Sequence, residues 1–539
     1  MHPHRLRAPS SDGALLAAPP LDRAGAALRE NGERLRRWEH DFQGRRAGRL
    51  RAMARAQVIA LARQHHEAFG LDWPETPPQP ERLVVTGHQP ELFHPGVWVK
   101  NFAVAGLAEG NQAVGLNLIV DNDIPKGPTI RVPHREGDNG AGLRASAVAF
   151  DAWAGEVPYE DQVIHDEALF ASFADRARST LGGLVADPLL AEYWPRAVRR
   201  AADTDRVGLR FALARREVEA EWGARNVEVT IGRVCESEAF LWFACHLLAQ
   251  LPRFQATHNA ALARYRAAYG IRSKHHPVPA LAREGEWLEA PFWVWRAESP
   301  RRRPLMARTL ARSMELRIDG EDTPFLEIPL APDRDGCCAV EMLQELPGLG
   351  IRLRTRALTT TLFARYLLGD LFVHGIGGAK YDELGDELAR GFFGIEPPTF
   401  LTLSLTQWLG VEGDPATPAR LRAVERSLRD LDFNPDRHLP VPRPAEARAA
   451  VESKWVAIAG EVATRRQRLD RLRTIRRANL DLVPWTGPVR EGLLAEREAL
   501  RAGLKRNGIA RSREYAFPLH GEGRLRAAMT RLIGAAAGR

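Results

Sequence analysis

The chain has 539 residues, 76 Lys+Arg against 68 Asp+Glu, 4 Cys and 45 % hydrophobic residues. This is ordinary globular composition, enough for three to four domain equivalents at about 150 residues each, and it excludes wholesale disorder, a collagen-like chain and a disulfide scaffold. The net charge of +8 comes from arginines interleaved with acids, which argues against nucleic acid as a partner.

No run of about 18 apolar residues occurs, so no membrane span is expected. Few cysteines and no signal-like leader point to a cytoplasmic setting. Only six basic residues are lysines: Lys100, Lys126, Lys274, Lys380, Lys454 and Lys505. In so Arg-rich a chain each of them is worth locating.

Residues 21–70 read as mainly helical, with Leu28, Leu35, Trp38 and Phe42 on one face and Asn31-Gly32 as an expected interruption. A Pro-rich joint, Trp73 to Pro80, follows. Leu83-Val84-Val85 then reads as a strand running into a Thr86-Gly87-His88-Gln89-Pro90 loop. A helix at about 96–108 and a second strand, Val114–Val120, complete a βαβ unit that ends in Asp121-Asn122-Asp123. Parallel strands are expected from a right-handed crossover, with both polar clusters at carboxyl ends, where ligands bind in such sheets.

Residues 160–270 read as mostly helical, and Trp287 to Arg296 as strand material. A helix at about 359–368 leads to the strand Leu371-Phe372-Val373-His374, then a Gly375-Ile376-Gly377-Gly378 loop and a helix from Ala379. Glycine loops at helix starts let backbone N–H groups approach an anion. A second Pro-rich joint lies at Asn434 to Pro444. Beyond it, heptad-like steps from Val451 to Leu472 and from Val489 to Leu504 predict two helices, broken at Pro484–Pro488. This would be a helical hairpin or coiled coil, through which a homodimer could form.

The order of these motifs resembles the bacillithiol-biosynthesis cysteine-adding enzyme family. The resemblance is carried by TGHQPELFHPGVWVKNFAVAGLA at residues 86–108, by LIVDND at 118–123 and by HGIGGAKYDEL at 374–384, with Arg356 matching more loosely upstream. The family's Thr-Gly-Gln-Gln carries His88 at its third position here, and its Asp-His-Asp carries Asn122 at its centre. These departures fit a related fold with a diverged substrate.

The resemblance implies an α/β protein with a Rossmann-like parallel-sheet core at 81–440 holding a helical insertion. It also implies an N-terminal helical segment at 1–80, a coiled-coil arm at 441–510 and a return segment at 511–539 that packs on the core. The implied reaction joins cysteine to the amino group of a small anionic sugar–malate conjugate.

In this picture Asp121 or Asp123 is the base or amine partner, and His88 acts beside them. Gly87, Gln89, Pro90 and Asn122 shape the substrate site, with Asn101 next to Lys100. Lys100, Lys126 and Lys380 hold carboxylate or phosphate, Arg356 is a further ligand-binding candidate, and His374, Gly375, Gly377, Gly378 and Tyr381 line the opposite loop. Whether a nucleotide takes part is left open. Two other readings are a nucleotide-sugar glycosyltransferase with Mg²⁺ or Mn²⁺ on Asp121 and Asp123, and a non-catalytic ligand-binding or scaffold protein. Trp293 and Trp295, two apart on one strand, read as core packing before a sugar platform. Arg272 to His276 reads as an exposed basic turn.

Overall fold

The computed structural model describes residues 6–74, 80–136, 142–153, 155–441 and 443–539. The chain divides into two compact units. The first comprises residues up to Val132, Ser146–Leu409 and Arg513–Arg539; the second comprises Pro133–Ala145 and Gly410–Ser512. The fold is mixed α/β, built around a six-stranded, mostly parallel sheet in the first unit. Among the described residues no helix is long and apolar enough to cross a membrane.

The sheet contains β1 (Leu15–Ala18), β2 (Leu83–His88), β3 (Val114–Ile119), β4 (Val227–Thr230), β5 (Leu371–His374) and β6 (Leu401–Leu405). Their order is β1-β6-β5-β2-β3-β4. All neighbours are parallel except β1, which runs antiparallel to β6 with Leu15 opposite Leu405. From β2 the chain adds β3 and β4 on one side, then returns to β2's other side for β5 and β6. The direction therefore reverses between β2 and β5.

Leu83, Val84 and Val85 are fully buried, as expected for strands covered on both faces. The helix Pro95–Gly110 returns the chain from β2 to β3. Pro95 fits the first helical turn, and His94 caps it, its Nδ1 accepting the Gly96 N–H at 3.0 Å. A Cβ on Gly110 would sit 2.7 Å from Ala537 O. The bare glycine lets the C-terminal helix Glu522–Ala537 lie against this helix. The return segment thus packs into the first unit, with Tyr515, Phe517 and Leu519 buried.

A second, antiparallel sheet runs in the order Ile351–Thr355, Trp287–Arg296, Ser299–Thr309, Met314–Ile318, Leu326–Ile328. Sequence reading recovered only the Trp287–Arg296 strand of it.

Several expectations are corrected. The helix Leu21–Arg36 runs straight through Asn31-Gly32. Asn31 is buried, donates to Asp370 O and Thr399 O and accepts the Thr399 N–H, so its side chain satisfies tertiary partners instead of breaking the helix. Thr86, Gly87 and His88 are the second half of β2, not a loop. β4 lies inside the stretch read as helical; four buried residues, VEVT, are too few to show a period. The helix after β5 spans Ile376–Gly391, so Gly377 and Gly378 form its first turn and Gly375, at φ −79°, caps it.

The expected break at Pro484–Pro488 is absent: one helix covers Arg465–Ala510. The turn lies earlier, between Ala459 and Arg465, where Thr464 and Gln467 form a capping box. The N-terminal helices share the first unit with the sheet. Residues 75–79 of the first Pro-rich joint and Pro442 of the second lie outside the described residues.

In the second unit, helix Arg465–Ala510 is packed by Pro418–Phe433, through Val424, Leu428 and Leu431, and by Ala445–Ala459, through Ala447 and Val451. Lys454 is buried there. Its ammonium pairs with Asp436 at 2.6 Å and donates to Phe433 O at 2.9 Å.

Candidate functional site

The turn after β3 carries the acidic triplet, and its three side chains take separate paths. Asp121 Oδ1 accepts the Gly232 N–H at 2.8 Å. Asn122 Nδ2 donates to Thr355 O at 2.8 Å. Asp123 accepts from Gln89 Nε2 at 2.7 Å and pairs with Arg302 at 2.9 Å. Asp121 and Asp123 line different cavities. The glycosyltransferase reading needs them as one chelating pair, and the geometry does not present them so. Among the described residues no group of three or more His, Cys, Asp or Glu is placed to hold a metal ion.

The first cavity, about 350 Å³, lies beyond the carboxyl ends of β3 and β4. Asp121, Glu160, Glu236 and Arg354 form its charged wall. Arg354 is buried and donates to both Glu160, at 2.9–3.1 Å, and Glu236, at 2.9 Å. Burial, reinforced by the charge of Glu160, pushes the Asp121 carboxyl up to about 7. A Cβ on Gly232 would lie 3.0 Å from Glu160 Oε2 and 3.2 Å from Asp121 Oδ2, so this position leaves room for the two acids. Pro90 also lines this cavity.

The second cavity, about 230 Å³, lies beyond β2 and β3 and is closed by the antiparallel sheet. Gln89, Asn122 and Asp123 meet Trp293, Arg302, Arg356, His258 and Thr360 there. The Arg356 guanidinium sits 4.1 Å from the centroid of the Trp293 ring and that of Arg302 5.1 Å from it. Arg356 pairs with Glu289 at 2.6 Å, yet its Nε and that of Arg302 are buried without hydrogen-bond partners. Two arginines with unmet donors, an aromatic face and a carboxylate are suited to a small anion carrying a sugar or an amine.

Between β2 and β5, where strand order reverses, sit His88, Lys100 and His374. Lys100 is 3 % exposed; its ammonium donates to Gly87 O at 2.9 Å, and burial pushes it down to about 7. His88 Nδ1 lies 3.2 Å from Gln89 O, and burial, aided by Lys100, lowers its ring to about 3. His374 Nε2 lies 2.6 Å from Asp382 Oδ2, which Arg365 holds at 2.8 Å. Burial would raise Asp382, but the charges of Arg365 and His374 keep it down at about 2. A Cβ on Gly378 would come 2.7 Å from His374 Nδ1, which ties this glycine to packing against the ring.

The other sequence candidates separate from these. Asn101 is buried and donates to Glu219 at 2.7 Å, in a network with Arg215 and Glu228. Lys126 and Lys380 are exposed, and Tyr381 is half-buried with its ring 6.4 Å from that of His276. Residues 272–276 are exposed. Cys235 and Cys245 are buried, with the Cys235 thiol pushed up to about 12 by burial, while Cys337 and Cys338 are exposed.

Trp295 is core, its Nε1 donating to Asp161 at 2.9 Å, whereas Trp293 faces the second cavity. Glu160, Arg302, Arg354, His65 and His258 escaped sequence reading; nothing in their local spacing marks them.

No protein-family model and no curated protein matches the sequence.

Proposed function

We propose that the chain is an enzyme of the cysteine-adding type with a Rossmann-like core, joining cysteine or a similar aminothiol to the amine of a small anionic, sugar- or carboxylate-bearing substrate. The observation that carries this reading is the second cavity. It gathers Asp123 and Gln89 from the two matched motifs and Arg356 from the looser match into one space with Trp293 and Arg302. The strand order fits as well: counted from β2, the parallel strands stand in the order 5-4-1-2-3, which is the doubly wound arrangement.

In this reading Arg302 and Arg356 bind the substrate's carboxylates, bidentate recognition being what a guanidinium does best. Trp293 stacks on the sugar. Asp123, oriented by Gln89, accepts a proton from the attacking amine. The cysteine carboxyl is activated by ATP as co-substrate, and the phosphate or AMP so attached to it leaves as the amine forms the amide bond.

The test is to incubate the protein with cysteine, ATP and a glucosamine–malate conjugate and to follow the amide product by mass spectrometry. Product is expected from the wild type and not from Asp123→Ala, with both chains equally folded by circular dichroism. An unchanged rate in Asp123→Ala would remove its catalytic role, and no product from the wild type would reject this reaction.

A further inference from the structure

We infer that Cys337 and Cys338 form a vicinal-dithiol site that takes one trivalent arsenic species, arsenite or a monosubstituted arsenical, across their two sulfurs. Both thiols are exposed, and their Sγ atoms lie 3.7 Å apart. Two sulfurs bonded to one pyramidal or tetrahedral centre through bonds of about 2.3 Å stand about 3.5–3.8 Å apart, so the pair needs almost no movement to close on such a centre.

The thiols sit on a turn that other residues hold in place. Gln43 is buried, and its Nε2 donates to Ala331 O at 3.1 Å and to Arg334 O at 2.9 Å, while its own backbone O accepts the Gly336 N–H at 2.9 Å. Asp335 Oδ1 accepts the Cys337 N–H at 2.9 Å. A Cβ at Gly44 would collide with Asp335 Oδ2, so the bare glycine leaves room for this carboxylate. Ala339, Val340 and Leu343 are buried and seat the helix Cys337–Gln344 in the core. The sulfurs are therefore presented by an ordered backbone, and the entropy lost on chelation is small.

Other fates of the pair fit the geometry less well. A disulfide between chain neighbours would join Cα atoms about 3.8 Å apart, below the usual range of about 4.4–6.8 Å. A divalent cation such as Zn²⁺ needs four ligands and both thiols as thiolates. Among the described residues no group of three or more His, Cys, Asp or Glu is placed to hold one. The Cys338 thiol and the Asp335 carboxylate also push the neighbouring Cys337 thiol up from its ordinary value, which disfavours a thiolate. Trivalent arsenic needs neither condition. In the condensation of RAs(OH)₂ with two thiols, two As–O and two S–H bonds break and two As–S bonds form. Each thiol proton leaves with a hydroxyl as water, and no atom is oxidised or reduced.

Neither the joining reaction nor its substrates enter the test. The reduced full chain is titrated with phenylarsine oxide and followed by native mass spectrometry. One adduct per chain is expected, retained under excess 2-mercaptoethanol and released by 2,3-dimercaptopropanol, because two sulfurs share one centre. Cys337→Ser and Cys338→Ser should fold as wild type by circular dichroism and bind about 100-fold more weakly, since each loses the intramolecular second bond. No adduct on the wild type, an adduct that 2-mercaptoethanol strips, or undiminished affinity in either serine variant would overturn the inference. So would an undiminished adduct on the doubly substituted chain, which would place it on the buried Cys235 or Cys245.

Discussion

Asp121 couples the first cavity to the stability of the fold. Its carboxyl is held up to about 7 by burial and by Glu160, against about 4 in an unfolded chain. Between those values the folded chain binds the extra proton, so stability falls as pH rises through this window. Asp121→Asn removes the effect. Its melting temperature relative to wild type is therefore expected to climb between about pH 4 and about pH 8, and a constant difference would show that Asp121 does not titrate in that window. A second change tests the buried amide in the first helix. Asn31→Ala leaves two carbonyls and one N–H unpaired and should cost on the order of 3 kcal/mol in urea unfolding. The acids after β3 were legible because a short buried strand ended in them. Their separation into two cavities was not, since it depends on Gly232, Thr355 and Arg302, which lie 111 to 233 positions along the chain from their partners. Arg356 was found through resemblance; its partner Trp293 was seen but assigned to the core.

At the scale of elements, β3 and β5 read correctly, whereas helices carrying Asn-Gly or proline were wrongly broken. The first helix kept its Asn-Gly, and the long helix kept both prolines, because their neighbours supply the missing support: Leu482 and Thr486 beside Pro484 are buried. Proline inside a helix still removes a hydrogen bond and costs about 3 kcal/mol. Pro484 is exposed, so Pro484→Ala is expected to stabilise the second unit by about 1–3 kcal/mol, read as a higher urea midpoint. A lower midpoint would mean that the proline fits a bend which the packing requires. β4 escaped because four buried residues are too few to show a period. The antiparallel sheet matters most for the site, since it contributes Trp293, Arg302 and the strand that leads into Arg356.

For the whole molecule, two compact units predict unfolding in two steps. Scanning calorimetry should resolve two transitions, with Pro484→Ala moving only one of them; a single transition with equal calorimetric and van't Hoff enthalpies would show the units to be one cooperative body. The pairing of β1 with β6 has a further consequence, for biosynthesis. Leu15 meets Leu405, about 390 residues later. At roughly 5–20 residues per second the ribosome needs about 20–80 s to supply the partner. Through that interval β1 waits without its partner strand, and helix Glu522–Ala537 arrives later still to close over Pro95–Gly110. Nascent chains stopped near residue 400 should therefore be the ones that a trigger-type chaperone holds and proteases cut, and release from both should coincide with emergence of the last helix.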